Sequence, residues 1–82
     1  MDRIRICNPA HGQTELWFNS DVSGAYSIQL TDVLGRRILT EQGVALQGQN
    51  VHSLQLTDLA KGVYMVTCTI GAQTSVARVV VQ

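Results

Sequence analysis

Hydrophobic and polar residues alternate along most of this chain with the period of two that marks a half-buried strand. Seven stretches carry the pattern: Arg3–Cys7, Gln13–Phe18, Ala25–Thr31, Arg36–Glu41, Asn50–Leu56, Gly62–Thr69 and Gln73–Val81. Each is rich in β-branched or large apolar residues, and turn formers separate them: Asn8-Pro9, Gly24, Asp32 to Gly35, and Gly43 to Gly48. No segment holds a 3.6-residue period over three turns, so no helix is predicted. Short strands at near-regular spacing predict an all-β fold, a seven-stranded antiparallel immunoglobulin-like β-sandwich in which residues 1–82 form one domain.

The last two stretches are legible in register. Gly71-Ala72 suits a two-residue turn with Gly at the first central position. Ile70 then faces Gln73, Cys68 faces Ser75, Val66 faces Ala77 and Tyr64 faces Val79. Alternation puts Tyr64, Val66, Cys68, Ala77, Val79 and Val81 on one face, which reads as core. Val63, Met65, Val76, Arg78 and Val80 share the other, a mostly apolar stripe with one cation that an isolated domain has little reason to expose. The chain stops at Gln82, directly after a strand, where ends usually fray unless tied down. That tail therefore reads as a built part, either structural or presented to a partner.

One internal echo is visible. Ser27-Ile28-Gln29-Leu30-Thr31-Asp32-Val33 returns as Ser53-Leu54-Gln55-Leu56-Thr57-Asp58-Leu59. Both copies predict a strand followed by a turn, with Ile28, Leu30, Leu54 and Leu56 inward, and Asp32 and Asp58 accepting backbone N–H groups of the turn. Two copies with different sequels do not make a solenoid. After the first copy, a type I turn with left-handed Gly35 predicts a bulged hairpin joining the third and fourth strands.

Six basic and six acidic residues cancel, which argues against nucleic-acid binding, an interaction driven by phosphate neutralisation. Hydrophobic content of 45 % fits a folded chain. No apolar run approaches the ~20 residues of a membrane-spanning helix, so no membrane insertion is expected. Met1-Asp2-Arg3 leads straight into a strand pattern without a signal peptide, which fits a cytosolic protein or a fragment of a longer precursor equally well. Cys68 falls on the core face and Cys7 out of phase with inward Ile4 and Ile6; whether the two pair is left open.

Reactive constellations are missing from the pattern. Ser23-Gly24 lacks the flanking glycines of a nucleophile elbow, and there is no Gly-rich phosphate loop. Cys7, His11, His52 and Cys68 match no paired-ligand spacing, so no metal or cofactor is predicted. The carboxylates are scattered over strands and turns, and no enzyme is expected. His52 reads as a half-exposed residue near a strand end. Trp17, Phe18 and Tyr26 are candidates for a sugar-stacking platform, although Trp17 points outward if Leu16 and Phe18 point in.

Three motifs in order carry a resemblance. Asn8-Pro9-Ala10-His11-Gly12 follows an apolar strand, and Leu30-Thr31-Asp32-Val33-Leu34-Gly35-Arg36 lies in the middle. Leu59-Ala60-Lys61-Gly62-Val63-Tyr64-Met65-Val66, then Gly71, then Arg78-Val79-Val80-Val81-Gln82, close the chain. Together they resemble the C-terminal sorting domains of the type IX secretion system, over nearly the whole length. Ile6 and Cys7 stand where that family usually has an aromatic residue and Pro, and Arg78 where it often has Lys.

The resemblance implies a structural role for Asn8, Pro9, Gly12, Asp32, Gly35, Gly62, Tyr64 and Gly71. It implies a passenger N-terminal to this domain in an exported precursor. It also implies recognition by the type IX translocon and its shuttle components, then removal by a sortase-like peptidase. The product would pass through the periplasm to the outer-membrane surface or the medium. Val63, Met65, Val76, Arg78, Val79, Val80, Val81 and Gln82 are the candidate recognition residues, captured by addition of a strand or read through the outward stripe. The alternative reading is an immunoglobulin-like accessory or adhesive module binding a glycan or protein, since sandwiches host many functions.

Overall fold

The computed structural model describes residues 4–6 and 12–82. They form seven strands: β1 (Ile4–Ile6), β2 (Gln13–Ser20), β3 (Gly24–Asp32), β4 (Arg37–Ala45), β5 (Gly48–Gln55), β6 (Gly62–Ile70) and β7 (Gln73–Val81). A three-stranded sheet of order β1-β2-β5 faces a four-stranded sheet of order β4-β3-β6-β7, and the pairings are antiparallel. This is the expected sandwich, with Cys7, Asn8, Pro9 and His11 outside the described residues.

Alternation accounts for the core. Along β2 every second residue is buried, Thr14, Leu16, Phe18 and Ser20, while Trp17 between them is 37 % exposed. The two copies of the sequence echo supply opposite sides of the same core, with Ile28 and Leu30 from β3 against Leu54 near the end of β5 and Leu56 just beyond it. The likeness ends at the acids. Among the described residues Asp58 makes no turn hydrogen bond, and its turn is closed by the backbone instead, Leu59 N–H to Leu56 C=O at 3.1 Å. The sequels differ in spacing, because the positive-φ glycine comes at Gly35 directly after the Asp32-Val33-Leu34 turn but one residue later, at Gly62, after Asp58.

The β3–β4 hairpin is built as the sequence predicts. Gly35 adopts φ 83°, and its N–H bonds the Asp32 carbonyl at 3.0 Å. Asp32 N–H donates to the Arg36 carbonyl at 3.0 Å, and the strand register slips between Leu30 and Thr31. The Asp32 carboxylate accepts the N–H groups of Leu34 and Arg36, each at 2.9 Å, and Arg36 Nε at 2.7 Å. Partial desolvation raises the Asp32 pKa, but the hydrogen bonds from Arg36 and Leu34 and the guanidinium charge outweigh it and hold the carboxyl below its ordinary value. A depressed folded-state pKa means that this contribution to stability is complete above the unfolded pKa and disappears as pH falls through the folded one. In an NMR titration the Leu34 and Arg36 amide shifts should therefore follow one proton, with a midpoint below that of a free aspartate. Asp32→Asn should abolish the transition.

The fourth strand departs from expectation. It runs to Ala45, four residues past the predicted Glu41, and Gly43 lies inside it rather than in a turn. The cause is a neighbour: Gly43 pairs with Tyr26, whose ring occupies the space where a Cβ would stand. The real turn is Leu46-Gln47, between Ala45 and Gly48. Asn50 clamps it, accepting Leu46 N–H at 3.0 Å and donating to the carbonyls of Leu46 and Gly48 at 2.9 and 3.1 Å.

Candidate functional site

Strands β6 and β7 pair in the register read from the sequence, from Ile70–Gln73 at the turn to Gly62–Val81 at the far end. Gly71 opens the turn at φ 57°, in the left-handed region that costs glycine least. On the inner face Tyr64, Val66, Cys68, Val79 and Val81 are buried, with Ala77 packed against them. Burial pushes the Cys68 thiol pKa up, and the thiol is free. Two of the eight candidate recognition residues, Val79 at 0 % and Val81 at 4 % exposure, thus belong to the core and present no side chain outward.

The other six are placed differently. Val63 and Val76 are 37 % and 38 % exposed, Met65 and Val80 are half-buried, and Arg78 and Gln82 are exposed. Cross-strand pairing sets Val80 beside Val63, Arg78 beside Met65, and Val76 beside Thr67. Nearer the Gly71 turn the same face is polar, with Thr69 and Thr74 opposite each other. The outer surface of this hairpin therefore grades from hydroxyl-bearing at the turn to apolar toward Gln82. Strand β7 is the edge of its sheet, which also leaves main-chain groups near Thr74 and Val76 facing away from β6.

One hydrogen bond holds the root of this surface and a second fastens the opposite sheet. Tyr64, at the start of β6, donates its hydroxyl to the Ala60 carbonyl at 2.6 Å, the tyrosine corner of immunoglobulin-like sandwiches. Gly12 accepts Leu56 N–H at 2.6 Å and adopts φ 79°, fastening the start of β2 to the end of β5.

A polar relay that sequence reasoning missed lies on the opposite flank. His52 Nε2 meets Glu41 Oε1 at 2.6 Å, and His52 Nδ1 meets the Tyr26 hydroxyl at 2.8 Å. A carboxylate only accepts, so Nε2 carries the proton, and in the neutral ring Nδ1 accepts from Tyr26. Desolvation, with the nearby Cys68 and Glu41, raises the Tyr26 pKa, so its hydroxyl stays protonated. This makes it a poor nucleophile and a good strut. The relay ties β3 and β4 of one sheet to β5 of the other.

The sugar-stacking platform is not assembled. Phe18 and Tyr26 pack edge to face in the core with centroids 5.0 Å apart, while Trp17 lies on the outer face beside Arg5 and opposite Val51. Alternation sent Trp17 and Phe18 to opposite faces of one strand. Among the described residues no three His, Cys, Asp or Glu side chains converge as metal ligands.

The family model described as the secretion system C-terminal sorting domain matches residues 7–82. No curated protein and no solved structure matches the chain.

Proposed function

Because the chain belongs to the family of secretion system C-terminal sorting domains, the non-catalytic signals that direct export across the outer membrane by the type IX route, we propose how its surface is read. The outward stripe of the last hairpin, Val63, Met65, Val76, Arg78 and Val80 with Gln82 at its end, contacts the translocon and its shuttle components. Val79 and Val81 act from inside by holding β7 flat. Main-chain groups at the β7 edge add affinity by strand addition. The single observation that carries this reading is the apolar grading of a sheet's outer face toward Gln82.

The passenger lies N-terminal to β1 in a longer secreted precursor, of which residues 1–82 form the sorting domain. A sortase-like peptidase cuts at that junction after transit through the periplasm, leaving the passenger at the cell surface or in the medium. The domain needs no cofactor for this.

A reporter carrying a signal peptide and fused to residues 1–82 tests the reading in a bacterium with a type IX translocon. Protease-accessible reporter at the cell surface is the expected result. Val63→Thr, Val76→Thr and Val80→Thr together keep the β-branched shape and remove outward apolar surface. We expect at least a tenfold fall in surface reporter with a melting temperature within a few degrees of the parent. Undiminished export would end the role of the stripe; an unexported parent would end the whole proposal.

A further inference from the structure

The two central positions of the β3–β4 turn hold Val33 and Leu34, 73 % and 77 % exposed. Neither is one of the turn formers Gly, Pro, Asn, Asp and Ser, and the central positions of a type I turn accept most residues, so the turn itself does not call for large apolar side chains there. Two large apolar side chains at such a tip bring the turn nothing. Yet the tip is rigid, because the Asp32 carboxylate and the Gly35 amide fix the chain on both sides of it. Behind it lies a groove of about 250 Å³ walled by Val33, Leu34, Ile38 and Val63. Val63 also belongs to the stripe on the last hairpin, so the two apolar surfaces are continuous.

Charge selects the occupant. Arg36 and Lys61 border the groove; Asp32, the acid among the described residues that line it, is paired with Arg36, so the rim is net cationic through Lys61. We propose that the β3–β4 tip is a second docking element, a rigid apolar plug with a cationic rim that seats in an apolar, acid-rimmed pocket of a protein in the export machinery. This rests on the sorting function proposed above. A second copy of this chain fits less well, because a two-fold contact through the tip would bring together two rims of the same net positive sign, with the Asp32 carboxylate of each already paired to its own Arg36. A bilayer would accept the two tip side chains and leave the concave groove behind them unfilled.

The reporter fusion again provides the test, with two double variants of matched character. Val33→Ser with Leu34→Asn replaces the plug by residues the turn prefers, so the melting temperature should hold or rise. Val44→Ser with Leu46→Ser alters an equally exposed apolar pair, 76 % and 68 %, at the β4–β5 turn. The tip variant should lower surface reporter at least tenfold and the β4–β5 variant less than twofold. A photo-crosslinking residue at position 34 should join the parent fusion to a discrete protein, and Lys61→Glu should weaken that adduct several-fold. Equal effects of both double variants, or none from the tip variant, overturn the docking role while leaving the sorting function standing. Crosslinks confined to a second copy of the fusion, or to lipid, overturn it as well. A parent fusion that stays inside the cell removes the sorting function itself, and the docking role with it.

Discussion

Removing Val79–Gln82 is expected to unfold the domain, not simply to silence its signal. The deletion takes away two core side chains and the pairs Gly62–Val81, Val63–Val80 and Tyr64–Val79. Burying a valine is worth about 1.5–3 kcal/mol, and a domain of this size has a total stability of about 5–10 kcal/mol. Losing both valines and three rungs of ladder therefore consumes most of the margin. The truncated chain should lose the dispersed amide spectrum of a folded β protein and become sensitive to protease at concentrations the parent resists. A truncated chain that melted like the parent would show that the core does not need β7. The deletion confounds fold with recognition, whereas outward threonine substitutions separate them.

Gly43→Val is expected to be nearly as damaging, though the residue lies in a half-buried edge strand far from the last hairpin. An added Cβ would stand 2.8 Å from Tyr26 Cε1 and nearer still to the phenol oxygen, so the ring must move. Moving it breaks the bond to His52 and disturbs the edge-to-face packing on Phe18. Overpacking of this kind, together with a part-buried imidazole left half-satisfied, costs about 2–4 kcal/mol. At about 4–8 °C per kcal/mol for a small domain, the melting temperature should fall by roughly 10 °C or more. Gly24→Val makes the control, because nothing lies within 4 Å of the site and a strand favours valine there. A Gly43→Val protein as stable as Gly24→Val would show that Tyr26 has room to spare.

These two positions also mark where the sequence was readable. The β6–β7 register followed from a two-residue turn and a period of two, both local, and every rung depended on Gly71 alone. The Asp32–Gly35 hairpin was equally legible, since its acid, glycine and bulge lie within a few residues of one another. Gly43 misled because its local preference is for turns, while the reason for its place in β4 is a tyrosine on the adjacent strand. The Tyr26–His52–Glu41 relay was invisible for the same reason: its members come from three strands, and His52 faces them only once the sandwich has closed. Of the candidate site, alternation separated the outward valines from Val79 and Val81. The exposure of Val33 and Leu34 needed the turn to be seen standing clear of both sheets.

The strand order has a kinetic consequence. The central pairing of the larger sheet joins β3 to β6, from Tyr26–Ile70 to Asp32–Tyr64, partners far apart along the chain. Such long loops must close before any of their contacts stabilise the product, and topologies dominated by them fold in about milliseconds to seconds, far behind helical domains. The extended polypeptide consequently has a lifetime of its own. Whatever threads it through a narrow pore races against that delay, and meets an obstacle some 21 Å across only after the delay has run out.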